Sequence, residues 1–167
     1  ADLDRESGRL VNIIEDLLVL SRMESEAAAV SAEPFGVSEM LAEALAEKSD
    51  LAAKHQVELA LKDGGAGISV RGDRTLIKTA TMNLLDNAIK YNRPHGRVEV
   101  SAERGEDGVS ITVADTGIGI PRGEQKKVFE RFYRVDKARS RETGGTGLGL
   151  SIVKHAAEFH GGSVTVI

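Results

Sequence analysis

An α/β fold with one bundle helix ahead of it is the architecture the sequence predicts, and three observations predict it. Between about residues 35 and 115, short apolar runs at strand spacing alternate with longer runs at helix spacing. Two of the short runs, 98–102 and 109–115, are joined by a Gly- and Asp-containing turn at 105–108, the pattern of an antiparallel hairpin. Ahead of all these, Leu3, Leu10 and Leu17 stand seven apart.

At 167 residues and 41% hydrophobic side chains, the chain is one large domain or one domain with an appendage, long enough for a proper core. It has no cysteine, which excludes disulfides and thiolate metal sites and fits a reducing compartment. No apolar run approaches the roughly 18 residues of a membrane span and there is no signal-peptide pattern, so a soluble segment is expected. The net charge of −4 is unevenly spread: residues 1–50 carry twelve acidic and four basic side chains, residues 122–142 eight basic and four acidic. A basic loop in an acidic chain suits a compact anion rather than nucleic acid.

Residues 2–24 read as a helix whose leucine stripe is thickened by Ile13, Ile14, Leu18 and Leu20. So wide an apolar face wants a partner, and the chain is expected to begin midway through a helical bundle. A small-residue linker over 27–34 follows. Residues 35–37 read as a short strand, with Ser38 as N-cap of a helix to about residue 54. Strands at 56–61 and 68–71 flank a turn at 63–67, and Asp73 caps a helix running to about Tyr91, ended by Arg93-Pro94-His95-Gly96. Past the hairpin, 126–133 read as a short helical piece and 134–142, polar and aperiodic, as a mobile loop. A last helix opens at the glycine run 144–149, carries Leu148, Ile152, Ala156 and Phe159 as its stripe, and stops at Gly161 and Gly162. Residues 163–167 begin another strand.

On the helix capped by Asp73, Asn83, Asn87 and Lys90 share one edge, and Ile77, Ala80, Leu84 and Ala88 fill the adjoining apolar arc. Carboxamide oxygens are neutral ligands for a hard cation that keeps several waters, as Mg²⁺ does, and the ammonium suits phosphate oxygens. A plain solvated face would read the same. In the second hairpin strand Val109, Ile111 and Val113 share a face, and the two-residue period puts Asp115 on it as a buried acceptor. Such a carboxylate needs a donor. The glycine-relieved turn 116–121 beside it lets something approach the backbone, and the amino edge of a purine would suit, as would an internal backbone bond. The glycine run at the last helix's start exposes N–H groups to an anion. It follows no strand and lacks the P-loop lysine, so neither a Rossmann nor a Walker reading fits.

In order, these pieces read NLLDNAIKY at 83–91, DTGIGIP at 115–121, FERFYR at 129–134 and GGTGLGL at 144–150. The series resembles the nucleotide-binding catalytic domain of bacterial sensor histidine kinases over roughly residues 35–167, with that family's N box, first glycine box, F box and second glycine box near complete and at matching spacing. Residues 1–26, with LLVLSRMES near their end, resemble the second helix of the family's dimerisation and histidine-phosphotransfer hairpin. The run FERFYRVDKARS is most similar to kinases of the phosphate-sensing type.

The resemblance implies a two-layer α/β sandwich of the gyrase and histidine-kinase type, a mixed sheet against helices, binding ATP and Mg²⁺ under a flexible lid. On the motif positions, Asn87 would hold Mg²⁺ against the phosphates, Asn83 and Lys90 would line the polyphosphate, and Tyr91 would lie beside the nucleotide. Asp115 would accept from the adenine amino group, with Gly117 and Gly119 admitting the base. Arg134 would reach the γ-phosphate, making Arg134 and Asn83 the catalytic candidates, and Gly145, Thr146, Gly147, Leu148 and Gly149 would wrap the phosphates. The resemblance further implies a cytoplasmic module of a homodimeric parent anchored in the inner membrane, with the receiver domain of a response regulator as partner and no nucleic acid.

The family's phospho-accepting His lies on the first hairpin helix in a His-Glu context, and none of His55, His95, His155 or His160 has that setting. Autophosphorylation is therefore not expected of this chain by itself; the acceptor would come from the other hairpin helix. His55 and His160 stand at helix ends, where C-terminal capping is the default. Two other functions stay open. ATP hydrolases of the same superfamily place a Glu where this chain has Asn83, and an amide cannot be the base that activates water. A nucleotide-gated interaction module without catalysis contradicts no residue.

Overall fold

The computed structural model describes residues 2–24, 33–136 and 145–167. Most of the expected linker and most of the expected loop after Arg134, with Gly144, lie outside the described residues. The elements run α1 (Asp2–Glu24), β1 (Pro34–Gly36), α2 (Val37–His55), β2 (Glu58–Gly64), β3 (Ser69–Arg71), α3 (Arg74–Lys90), β4 (Arg97–Arg104), β5 (Val109–Asp115), a 3-10 turn at Lys127–Phe129, and α4 (Gly149–Phe159). They form two compact units, Val30–Gly119, and Ala1–Ala29 with Ile120–Ile167.

In the unit Val30–Gly119, β4 is the middle strand of a mixed sheet, parallel to β2 and antiparallel to β5. A parallel neighbour demands a crossover, and α3 supplies it. β1 and β3 form a separate antiparallel pair. Alternation along β4 buries Val98, Val100 and Ala102 against Val37, Met40, Leu41 and Ala44 of α2 and Leu85, Ala88 and Ile89 of α3. Helices thus form one layer and the sheet the other, and each fully buried Leu, Ile or Met contributes about 1.5–3 kcal/mol.

The residues explain where these helices start. Asp73 caps α3 as expected, its Oδ1 accepting from the Leu76 N–H at 3.0 Å. α2 begins two residues earlier than expected, with Gly36 rather than Ser38 at the N-cap. The Val37 N–H donates to the Ile68 carbonyl at 3.0 Å, so the neighbouring strand takes an amide that a capping side chain would otherwise serve. Ion pairs tie the two helices: Glu43 meets Arg74 and Lys78, Glu47 meets Lys78 at 2.5 Å, and Lys48 meets Asp86 at 2.7 Å. The Arg74 guanidinium, with Lys78, holds the Glu43 carboxyl below its ordinary range, and Glu47 raises Lys78.

The buried face of α3 is Thr81, Leu85, Ala88 and Ile89, which corrects the arc expected from Ile77, Ala80, Leu84 and Ala88. Both stripes have helical spacing. The packing of α2 and β4 decides which one turns inward.

In the other unit, α1 packs on α4, and Leu20, Met23, Val128, Leu148, Ile152, Val153 and Ala156 are buried. Leu10, Val11, Ile14, Leu17 and Leu18 of α1 stay exposed. The helix expected over 126–133 shrinks to the 3-10 turn, because Glu130 is extended and Phe132 has φ +62. The Phe132 N–H donates to the Gly147 carbonyl at 2.8 Å instead of continuing the helix. Gly161 and Gly162 end α4 as expected, their amides donating to Glu158 and Ala157, and the His160 ring reaches the Ala156 carbonyl. Residues 163–167 form no strand, contrary to expectation, since no neighbouring strand pairs with them among the described residues. No described helix is long and apolar enough to cross a membrane.

Candidate functional site

Asn83, Asn87 and Lys90 are half-buried on α3. At about 100° per residue they stand roughly half a turn from the buried Thr81–Leu85–Ala88 face, so core packing fixes the direction of this polar edge. The Asn83 Nδ2 donates to the Thr79 carbonyl at 3.0 Å, leaving the amide oxygen as its acceptor. Tyr91 closes the helix: its N–H donates to the Asn87 carbonyl, and its own carbonyl accepts the Ile118 N–H at 3.1 Å. The turn after β5 is therefore bonded to the end of α3.

That closeness explains Gly117. A Cβ there would lie 2.6 Å from the Tyr91 carbonyl oxygen and 2.7 Å from Asp115 Oδ1, too close for any side chain. Gly119 is required for a different reason: its φ is +72, with open space around it. Asp115 shares the strand parity of Val109, Ile111 and Val113 but is exposed, which corrects the expectation of a buried acceptor. The strand ends there, beyond the cover of the core. Its Oδ1 accepts the Gly117 N–H at 2.8 Å.

Two residues the sequence reading missed stand in the same place. The Thr116 Oγ1 accepts the Arg97 N–H at 2.9 Å and lies 3.2 Å from the Asn92 Oδ1, to which it donates. The Asn92 Nδ2 donates to the Arg97 carbonyl at 3.2 Å. Their signal in the sequence is adjacency alone, Asn92 beside Tyr91 and Thr116 beside Asp115.

The remaining candidates belong to the other unit. Gly147 has φ +79, and a Cβ on it would come 2.9 Å from the Phe132 Cα, so glycine is needed both for the turn and for the approach of the FERFYR segment. Arg134 donates to the Gly145 carbonyl. The Thr146 hydroxyl donates to Asp16 Oδ2 at 2.9 Å and accepts the Leu148 N–H at 3.2 Å. The Leu148 side chain is fully buried, so of this residue only the backbone is available to a ligand. Gly149 opens α4. Arg131 pairs with Glu24, whose carboxylate also lies 3.7 Å from the His155 Nε2. The Tyr133 phenol donates to Glu124, which pushes its pKa up. Among the described residues, no three His, Cys, Asp or Glu gather into a metal-binding group.

One unit is a mixed sheet under helices with an outer helix edge of amides and ammonium, and the glycine loop at the start of α4 has neither Rossmann nor P-loop character. Residues 72–167 match the model of the histidine kinase-, DNA gyrase B- and HSP90-like ATPases, and the chain belongs to that family, as the ATP-binding module of a histidine kinase. It is 42% identical over 159 residues to the sensor-like histidine kinase SenX3 of Mycolicibacterium smegmatis, covering 95% of this chain and 41% of SenX3. Against the phosphate regulon sensor protein PhoR of Pseudomonas aeruginosa the identity is 34% over 158 residues, covering 95% of this chain and 35% of PhoR. The solved structure of full-length ShkA in complex with AMPPNP superposes with a TM-score of 0.78 at 27% identity, over 96% of this chain and 33% of that one. The chain thus spans about two fifths or less of these relatives. The names of SenX3 and PhoR agree with the sensor-kinase resemblance, and that of PhoR with its phosphate-sensing variety.

Proposed function

We propose that this module transfers the γ-phosphoryl group of ATP to a histidine on another hairpin helix, for relay to a receiver-domain aspartate of a response regulator. The observation that carries the reading is Asn83. Where the superfamily's hydrolases place a glutamate, this chain has a carboxamide, which is not a base and whose Nδ2 donates to the Thr79 carbonyl, so this position does not activate water. The work left to the chain is positioning and charge neutralisation.

In this reading Asn83 and Lys90 line the polyphosphate and Tyr91 lies beside the nucleotide. Asp115 accepts from the adenine amino group, and Gly117 and Gly119 shape the turn at the base. Arg134 meets the γ-phosphate, and Gly145, Thr146, Gly147, Gly149 and the Leu148 backbone surround the phosphates. Asn87 would hold Mg²⁺, and the half-buried outer edge of α3 fits it, since a neutral amide oxygen suits a hard cation. Bound there, the ion would neutralise phosphate charge. The γ-phosphorus gains a bond to the imidazole nitrogen as its bond to the β–γ bridging oxygen breaks, and ADP leaves.

Residues 1–26 are, in the same reading, the second helix of the dimerisation hairpin. The exposed Leu10, Ile14 and Leu17 support this, since a lone helix gains nothing by keeping them in water. The parent is then a homodimer anchored in the inner membrane, with this module on the cytoplasmic side.

The test is calorimetric binding of ATP and ADP with and without magnesium, followed by mixing with a separate His-bearing hairpin. Phosphohistidine on the hairpin is the expected result; nucleotide binding without transfer would favour a nucleotide-gated interaction module. Asn87→Ala should keep the fold and lose the magnesium-dependent part of the affinity, and magnesium dependence that persists would refute the metal assignment.

A further inference from the structure

We propose that Asn92 and Thr116 are positioning residues that set the purine specificity of the site by fixing Asp115. The inference rests on the reading of Asp115 as acceptor for the adenine amino group.

Asp115 is exposed, so packing does not orient its carboxylate. Hydrogen bonds do. On the strand side Asp115 pairs with Val98 in the β4–β5 ladder. On the turn side its Oδ1 takes the Gly117 N–H at 2.8 Å. The residue between them, Thr116, is held by a closed ring. Its N–H donates to the Arg97 carbonyl at 3.1 Å, its hydroxyl accepts the Arg97 N–H at 2.9 Å, and the same hydroxyl donates to Asn92 Oδ1. Asn92 closes the ring by donating to the Arg97 carbonyl at 3.2 Å, and its Oδ1 also accepts the Arg93 N–H at 2.9 Å. Gly96 leaves the room this needs, since a Cβ there would run into the Asn92 carboxamide.

Two side chains thus join the end of α3, the start of β4 and the end of β5. Asn92 follows Tyr91 and Thr116 follows Asp115, so the ring fixes the two nucleotide-facing candidates relative to each other. A carboxylate on an untethered exposed turn would sample water as readily as a base. One held by the ring presents its acceptor in a single direction, which selects a purine carrying an amino group.

The experiment compares ATP with purine riboside triphosphate, which lacks the amino group, by calorimetry on the full chain. The variants are Thr116→Val, Thr116→Ser, Asn92→Ala and Asp115→Asn, with thermal unfolding measured for each. Thr116→Val and Asn92→Ala should weaken ATP about three- to tenfold, the reach of a neutral hydrogen bond, and change the purine analogue by less than about twofold. Thr116→Ser, which keeps the hydroxyl, should restore the wild-type ratio. A merely structural ring would weaken both nucleotides in parallel, and that result, or no change in either, overturns the proposal. Asp115→Asn separates the two levels. If it leaves the ratio unchanged, the reading of Asp115 has failed and this inference with it. If it collapses the ratio while Thr116→Val and Asn92→Ala do not, the positioning role alone is refuted. Should Thr116→Val not fold, the Asn92→Ala ratio decides by the same criteria.

Discussion

The two units hold their candidate residues by different means. In Val30–Gly119, the amides of α3 face outward because Leu85 and Ile89 on the opposite side are fully buried against α2 and the sheet. In the unit that contains α4, the glycine loop is anchored by one buried side chain, Leu148, and otherwise by polar ties: Thr146 to Asp16, Arg134 to Gly145, Phe132 to Gly147. Burying a leucine is worth about 1.5–3 kcal/mol, a single polar tie about 0.5–1.5 kcal/mol. The α3 edge can therefore move only if the core opens, whereas the glycine loop can rearrange one bond at a time.

Substitutions can break or sharpen that contrast, and the largest effect is expected in the core. Leu85→Ala should cost about 2–5 kcal/mol in urea unfolding, because the side chain is fully buried and its cavity cannot fill. A loss below about 1 kcal/mol would mean that the core does not hold the polar edge. Next come two left-handed glycines among the candidate residues, Gly119 and Gly147. Gly119→Ala has open space for its methyl and should lose only the conformational part, about 1 kcal/mol. Gly147→Ala meets the Phe132 backbone as well and should cost about 1–3 kcal/mol, with weaker nucleotide binding by calorimetry. Equal losses at the two positions would show that the approach of Phe132 is not what requires glycine at 147. The smallest effect concerns Glu43. Arg74 and Lys78 lower its pKa, so its contribution is present above the ordinary carboxylate range and is lost as pH falls through the folded value. Acid titration of Glu43→Gln should therefore lack this part of the acid limb and converge with wild type at low pH; curves that stay parallel would exclude the linkage.

Where a local rule acts alone, the sequence could be read to the residue. Asp73 caps α3, β5 spans Val109–Asp115, and Gly161 and Gly162 stop α4 because each depends on neighbours within a few positions. Tertiary partners blurred the rest. Two helical stripes compete on α3, and only α2 and β4 favour the one through Leu85. Strand parity placed Asp115 correctly by face but could not tell that the strand leaves the core before reaching it. Phe132 left the helical path for a bond to Gly147, fifteen residues away, which no window of local sequence contains. Of the candidate site, the motif residues could be named from their order alone. Asn92 and Thr116 were not, because what unites them is the meeting of three element ends.

The crossover role of α3 bears on how chains of this kind can differ in length. Both of its ends are pinned, Asp73 closing its first turn and Tyr91 bonded to Ile118. Inserting one residue between Asp73 and Asn83 would swing the amides and Leu85 together by about 100° relative to the capped start of the helix, and no slip of the parallel strands could absorb the error. The hairpin tip at 105–108 has no such bookkeeping. Length variation should accumulate there and spare the seventeen positions of α3.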